Sequence, residues 1–163
     1  MTAQIDTGIQ HAFREAMASV ATPVSVVTTT SEGLHYGSTV SAFSSLSMDP
    51  PMVLVSLDQR STLLSAIRAA GRFGLNVLSA SQAETASRFA SSRGTGKFEG
   101  VAWQEDSGLP RLTESLGWVA CDVVELVSGG DHTIALGAVV AVEAGDGVPL
   151  TYHRRVFGTH LPL

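Results

Sequence analysis

A chain of 163 residues is one domain's worth, long enough to bury a self-sufficient core, so residues 1–163 are read as a single domain. Its net charge of −5, pI near 5.4 and ten scattered basic residues argue against a nucleic acid or an anionic membrane as partner, because counterion release needs clustered Lys and Arg. A 44% hydrophobic content with only 15% charged residues and a mean hydropathy of +0.22 leaves apolar surface for a second subunit to cover, so an oligomer is expected.

In chain order, the N-terminus Met-Thr-Ala-Gln-Ile-Asp has neither a basic nor an apolar leader segment, and no apolar run approaches the length of a membrane span. A cytoplasmic protein is expected. Ile9, Phe13, Met17 and Val20 recur at helical spacing behind Thr7, predicting an amphipathic helix that Pro23 ends. Val24 to Thr30 is rich in β-branched residues, Ser31-Glu-Gly33 is a turn signal, and His35 to Ser47 returns as a second strand. Met52 to Leu57 reads as a strand starting after Pro50-Pro51, and Ser61 as the cap of a helix carrying Leu63, Leu64 and Ile67 and stopping at Gly71. Arg72 to Leu78 is another strand, and Ser81-Gln-Ala-Glu84 is a capping-box pattern for a short helix toward Ala90. Ser91 to Gly100 reads as a loop. Trp118 to Val127 and Thr133 to Val142 are long strands joined at Ser128-Gly-Gly-Asp131, and Leu150 to Phe157 is the last strand. Six or seven strands with three short helices do not alternate as βαβ units. The pattern predicts a mostly antiparallel barrel with helices laid outside it.

Several chemistries are excluded by spacing. In Arg93-Gly-Thr-Gly-Lys97 a phosphate loop would need Gly at position 91 and Ser or Thr at 98, where Ser91 and Phe98 stand. Glu99 occupies the place of the third glycine of a dinucleotide fingerprint. His11, His35, His132, His153 and His160 are dispersed, so no metal site is expected, and no hydrolase elbow occurs. Cys121 stands alone in an apolar run and reads as a core thiol. What remains is small hydroxyl and glycine positions at strand ends: Gly37 to Ser41, Ser44-Ser45, Ser56, Ser61-Thr62 and Ser79 to Gln82. These let backbone approach a flat ligand, and a helix opening at Ser61 would aim its dipole at an anion such as phosphate. Decoration of a solvent-facing strand and helix capping is the other reading of the same residues.

Taken together, Phe13-Arg-Glu-Ala-Met17, Thr22-Pro-Val-Ser-Val-Val-Thr-Thr29, Gly37-Ser-Thr-Val-Ser-Ala-Phe43, Ser45-Leu-Ser-Met-Asp-Pro-Pro-Met-Val-Leu-Val55, Phe73-Gly-Leu-Asn-Val-Leu78, Lys97-Phe98, Gly130-Asp-His132 and Pro149-Leu-Thr-Tyr152 fall in an order that resembles the flavin reductases serving two-component monooxygenases. The resemblance spans roughly residues 11–158. It implies a split β-barrel homodimer that binds FMN or FAD, transfers hydride to it from NADH or NADPH, and hands reduced flavin to a separate oxygenase. It also implies site residues: Ser38, Thr39, Val40, Ser41 and Ala42 along the isoalloxazine ring with Ser45 nearby, then Ser56, Leu57, Ser61 and Thr62 around the ribityl chain and phosphate. Lys97 and Phe98 match a loop over the flavin, His132 a catalytic histidine by the nicotinamide, and Tyr152 with Arg154 a C-terminal strand motif on that side. Pro23 replaces a glycine common in the family, and Val156 stands where many members have a second arginine, so either Arg154 or Arg155 is the basic residue of that motif. In this reading Gly37 allows close approach, Thr39 and Ser41 offer donors, and Asp49-Pro50-Pro51 turns the chain so that Ser56 reaches the same ligand. A flavoprotein with a tightly held flavin and another acceptor, or a non-catalytic flavin-binding module, are the alternatives.

Overall fold

The computed structural model describes residues 7–91 and 95–163. Part of the glycine-rich loop, residues 92–94, and the first six residues lie outside that range. The chain runs through α1 (Thr7–Ala18), β1 (Thr22–Pro23), β2 (Ser25–Ser31), β3 (Leu34–Val40), β4 (Phe43–Met48), β5 (Pro51–Asp58), α2 (Thr62–Ala70), β6 (Arg72–Val77) and α3 (Ala83–Ser91). It continues through β7 (Trp103–Asp106), β8 (Leu109–Leu112), β9 (Gly117–Gly129), β10 (His132–Ala144), β11 (Leu150–His153) and β12 (Val156–Thr159).

Seven strands form one antiparallel sheet in the order β3-β2-β6-β9-β10-β5-β4. Laid flat, its edge strands would stand about 29 Å apart. Yet β3 and β4 are consecutive in sequence and joined only by Ser41-Ala42, a connection that reaches about 10 Å. The sheet must therefore curl until its edges meet. Along the seam the Ser56 amide donates to the Ala42 carbonyl at 2.9 Å, and no ladder closes β3 onto β4 among the described residues. This is a barrel split along one side.

Inside it, Val53, Val55 and Leu57 of β5 alternate inward and meet Val27, Phe73, Leu75, Cys121 and Ala135. Leu63, Leu64 and Ile67 of α2 complete this same core, while Thr62, Ser65 and Arg68 on its other face stay exposed. Cys121 is fully buried, and burial pushes its thiol pKa up to about 12, which fits an inert core thiol. A second core gathers Val24, Val26, Leu78, Phe89, Phe98, Leu112 and Leu150 beneath α3 and the C-terminal strands.

The expected strand from His35 to Ser47 is two strands, because the chain leaves one sheet edge at Val40 and joins the other at Phe43. The expected last strand is a hairpin, reversed at Arg154-Arg155. A further hairpin, β7–β8, escaped the sequence reading although Ser107-Gly108 is a usual turn signal. The capping box before α3 is made by Ser79 and Gln82, not Ser81 and Glu84. Gly71 ends α2 at φ 69 as expected. The apolar stripe of α1 faces outward: Ile9, Phe13 and Met17 are 68%, 64% and 49% exposed.

Candidate functional site

The seam holds a groove of about 280 Å³. Its walls come from the end of β3 and the connector to β4 (Ser38, Thr39, Val40, Ser41, Ala42), from the end of β5 (Ser56, Leu57, Asp58), from Ser61 before α2, and from His132 at the start of β10. Segments far apart in sequence meet here because the curled sheet brings β3 beside β5 and pairs Asp58 with His132 across strands.

The hydroxyls of Ser38, Ser41, Ser56 and Ser61 have no hydrogen-bond partner among the described residues, so they are free for a ligand. Thr39 differs: its Oγ1 donates to the Ala86 carbonyl of α3 at 2.6 Å, so the donor expected of it is already engaged in the fold. Ser61 sits at the N-cap of α2 in extended geometry, makes no side-chain cap, and no acidic residue stands in the first turn. The first amides of α2 are thus left for another acceptor, and the helix dipole favours an anion there. Free hydroxyls, small residues and an uncapped helix start suit the phosphate and polar edge of a flavin nucleotide.

His132 is half-exposed at the groove and its Nδ1 lies 2.7 Å from Asp131 Oδ1. With Nδ1–H donated to that carboxylate, Nε2 is the nitrogen left for a ligand. The His132 hydrogen bond and charge hold the Asp131 carboxyl below its ordinary pKa. Beneath the turn, the Gln59 amide donates to the Asp131 carbonyl at 3.0 Å and Gln59 Nε2 to the Gly130 carbonyl at 3.1 Å, fixing the loop that carries the imidazole. Asp58, which the sequence reading passed over, faces the groove with Arg60 on its carboxylate through Nε and Nη2 at 3.2 and 3.0 Å. Those hydrogen bonds, with one from the Arg60 backbone amide at 2.7 Å, lower its pKa to about 2.

The other expected residues lie elsewhere. Ser45 is exposed on β4 opposite Val53, and Thr62 is exposed on the first turn of α2 without lining the groove. Lys97 and Phe98 are buried. Lys97 Nζ donates to the Gly37 and Phe89 carbonyls at 3.0 and 2.8 Å, while the Phe98 ring packs edge-on against Phe89, His35 and Trp103. Burial pushes the Lys97 ammonium pKa down. The pair expected to cover a ligand instead pins α3 and the following turn to β3. A side chain at Gly37 would strike the Phe89 ring, 2.6 Å from its Cβ position, so Gly37 serves that internal packing. Tyr152 and Arg154 line a neighbouring trough of about 490 Å³ under α1, which meets the seam groove at Ser41 and Ala42. Arg14 lines it too.

A small antiparallel barrel opened along one seam, with hydroxyls and helix amides there that lack partners among the described residues, has the features that suit a phosphate-bearing cofactor. The chain belongs to the family described as flavin reductase like domain, whose model matches residues 17–160. It is 42% identical over 150 residues to the reductase component of a 4-nitrophenol 4-monooxygenase/4-nitrocatechol 2-monooxygenase from Rhodococcus opacus, covering 92% of this chain and 80% of that one. It is 36% identical over 158 residues to an NADH:riboflavin 5′-phosphate oxidoreductase from Streptomyces pristinaespiralis, covering 93% and 89%. Among solved structures, a nitrilotriacetate monooxygenase component B from Mycobacterium thermoresistibile superposes with a TM-score of 0.91 at 32% identity, covering 97% of this chain and 90% of the other.

Proposed function

We propose that the protein is an NADH:flavin oxidoreductase that reduces FMN or FAD and passes it to a separate monooxygenase. The observation that carries this reading is the seam groove, where free hydroxyls, an uncapped helix start and one oriented histidine converge in a member of the flavin reductase family. Bound there, the flavin supplies the ring that accepts hydride from the reduced nicotinamide. Ser38 to Ala42 offer backbone and small side chains to its flat face, while Ser56, Ser61 and the first amides of α2 take the phosphate. His132 directs Nε2 at the nicotinamide side and acts by positioning, and Tyr152 and Arg154 close that side from the adjoining trough. Lys97 and Phe98 hold β3 in place from behind. The groove is open along the seam, as suits a flavin that enters oxidised and leaves reduced.

The apolar residues Ile9, Phe13 and Met17 on α1 are the surface assigned to a second copy of the chain, making the working form a homodimer. Among the described residues no helix is long and apolar enough to cross a membrane, and a cytoplasmic enzyme is the reading that fits an NADH donor.

NADH oxidation by purified protein, with and without added FMN or FAD, tests the proposal. Strict dependence on free flavin is expected. Turnover by a yellow protein with another acceptor, or no NADH oxidation with either flavin, would contradict it.

A further inference from the structure

Ala86 and Phe89 bury one face of α3 in the core. A different face, carrying Glu84, Thr85 and Arg88 one turn apart, borders a cavity of about 280 Å³. Its other walls are Gln82 before the helix, residues 100–102, and Glu114 in the segment that follows β8. None of these residues lines the seam groove or the trough under α1.

The polar groups around this cavity exceed what the fold uses. Gln82 is 4% exposed, and its Oε1 accepts from the Ser79 amide at 3.0 Å to complete the capping box. Its Nε2 has no hydrogen-bond partner among the described residues and is not sealed in the core, which leaves it facing the cavity that Gln82 lines. Donors on so buried a side chain are costly to leave unmade, so the position calls for an acceptor. Arg88 stands four residues after Glu84, a spacing at which such residues pair, yet its Nη1 donates instead to the Glu99 carbonyl at 2.6 Å. The exposed carboxylates of Glu84 and Glu114 have no ion-pair partner among the described residues, and the Thr85 hydroxyl has no hydrogen-bond partner there.

One small cavity thus presents two unpaired carboxylates beside amide, hydroxyl and guanidinium donors. The carboxylates suit an ammonium and the donors suit a carboxylate. Its volume falls just below the roughly 300 to 1,000 Å³ of drug-sized pockets, which fits a molecule much smaller than a dinucleotide.

We infer that the cavity beside α3 binds a small zwitterion bearing an ammonium and a carboxylate, the chemistry of a free α-amino acid. The ammonium lies toward Glu84 and Glu114, and the carboxylate takes the Gln82 amide and Arg88. This site stands apart from the seam and does not depend on the flavin reading.

The test is amide NMR on the full chain, with the common L-amino acids titrated one at a time into wild type, Glu84→Gln and Glu114→Gln. Both variants keep the side-chain shape and remove charges that form no ion pair, so both should melt close to wild type. At least one amino acid should shift the amides of Gln82, Thr85 and Val101 saturably, and each variant should weaken it about tenfold or more. Exchanging its ammonium for a hydroxyl, as L-lactate does for L-alanine, or amidating its carboxylate, as in L-alaninamide, should abolish the shifts. Saturating FMN should leave them in place, since the cavity and the seam groove share no residue. The inference is overturned by the absence of any saturable shift, by wild-type affinity in both variants, by equal shifts from the hydroxy acid, or by displacement with FMN.

Discussion

Two stretches of the barrel are equally rich in hydroxyls and use them in opposite ways. On β2, Ser25, Thr28 and Thr29 are fully buried, and each hydroxyl donates to a backbone carbonyl at 2.7 Å: those of Val40, Pro110 and Arg72. Along the seam, Ser38, Ser41, Ser56 and Ser61 line an open groove with no such partner among the described residues. The first set ties neighbouring segments to the sheet; the second leaves its hydrogen bonds for a ligand. Residue type does not separate them. Position relative to the curl of the sheet does, because at the seam the two edges of the seven-stranded sheet meet without a ladder between them.

Lys97 breaks the comparison most sharply, since resemblance gave it to the ligand and geometry gives it to the fold. Lys97→Met leaves the buried Gly37 and Phe89 carbonyls without their donor, and should lower stability by about 3 kcal/mol in denaturant melts while folded protein still binds flavin. Thr28→Val orphans the Pro110 carbonyl and removes a weak acceptor of Asn76 Nδ2, so a loss of about 2 kcal/mol is expected with flavin affinity unchanged. His132→Ala removes the oriented imidazole and should raise the KM for NADH or slow flavin reduction about tenfold, near 1.4 kcal/mol, with little change in melting temperature. Unchanged kinetics would remove His132 from the site.

The smallest effect concerns pH. Asp58 has a folded pKa lowered from 3.8 to about 2 by its hydrogen bonds to Arg60, so its contribution is complete above pH 3.8 and is lost as pH falls through about 2. In Arg60→Ala the carboxyl titration followed by NMR should return toward the ordinary value. A midpoint that stayed near 2 would assign the shift to the backbone amide at position 60 and not to the guanidinium.

Much of this architecture was legible from periodicity and turn chemistry. The β9–β10 hairpin and its turn, α2 with its stop at Gly71, and the strand after Pro50-Pro51 are local signals that survive in the fold. The break at Ser41-Ala42 was not, because hydrophobic pattern does not record which sheet edge a strand joins. The C-terminal reversal was hidden for the opposite reason: Arg154-Arg155 lacks the glycine by which such a turn is recognised. For the site, the bare residues supported only an anionic ligand, and the family resemblance supplied the grouping that the seam later assembled around Ser38 to Ala42, Ser56, Leu57, Ser61 and His132. Asp58 was missed, since its place beside His132 depends on cross-strand pairing, and the choice between Arg154 and Arg155 stayed open because it depends on the geometry of the turn. Lys97 and Phe98 were placed over the ligand because short motifs do not reveal which way a side chain points.

The most direct test is a flavin fluorescence titration, paired with thermal melts, comparing Ser41→Val and Ser61→Ala with Ser25→Ala. Each seam variant should weaken FMN binding about fivefold, the equivalent of one neutral hydrogen bond near 1 kcal/mol, and melt as wild type does. Ser25→Ala should bind FMN normally and melt lower, having lost its bond to the Val40 carbonyl. Unaltered FMN affinity in both seam variants would contradict the account.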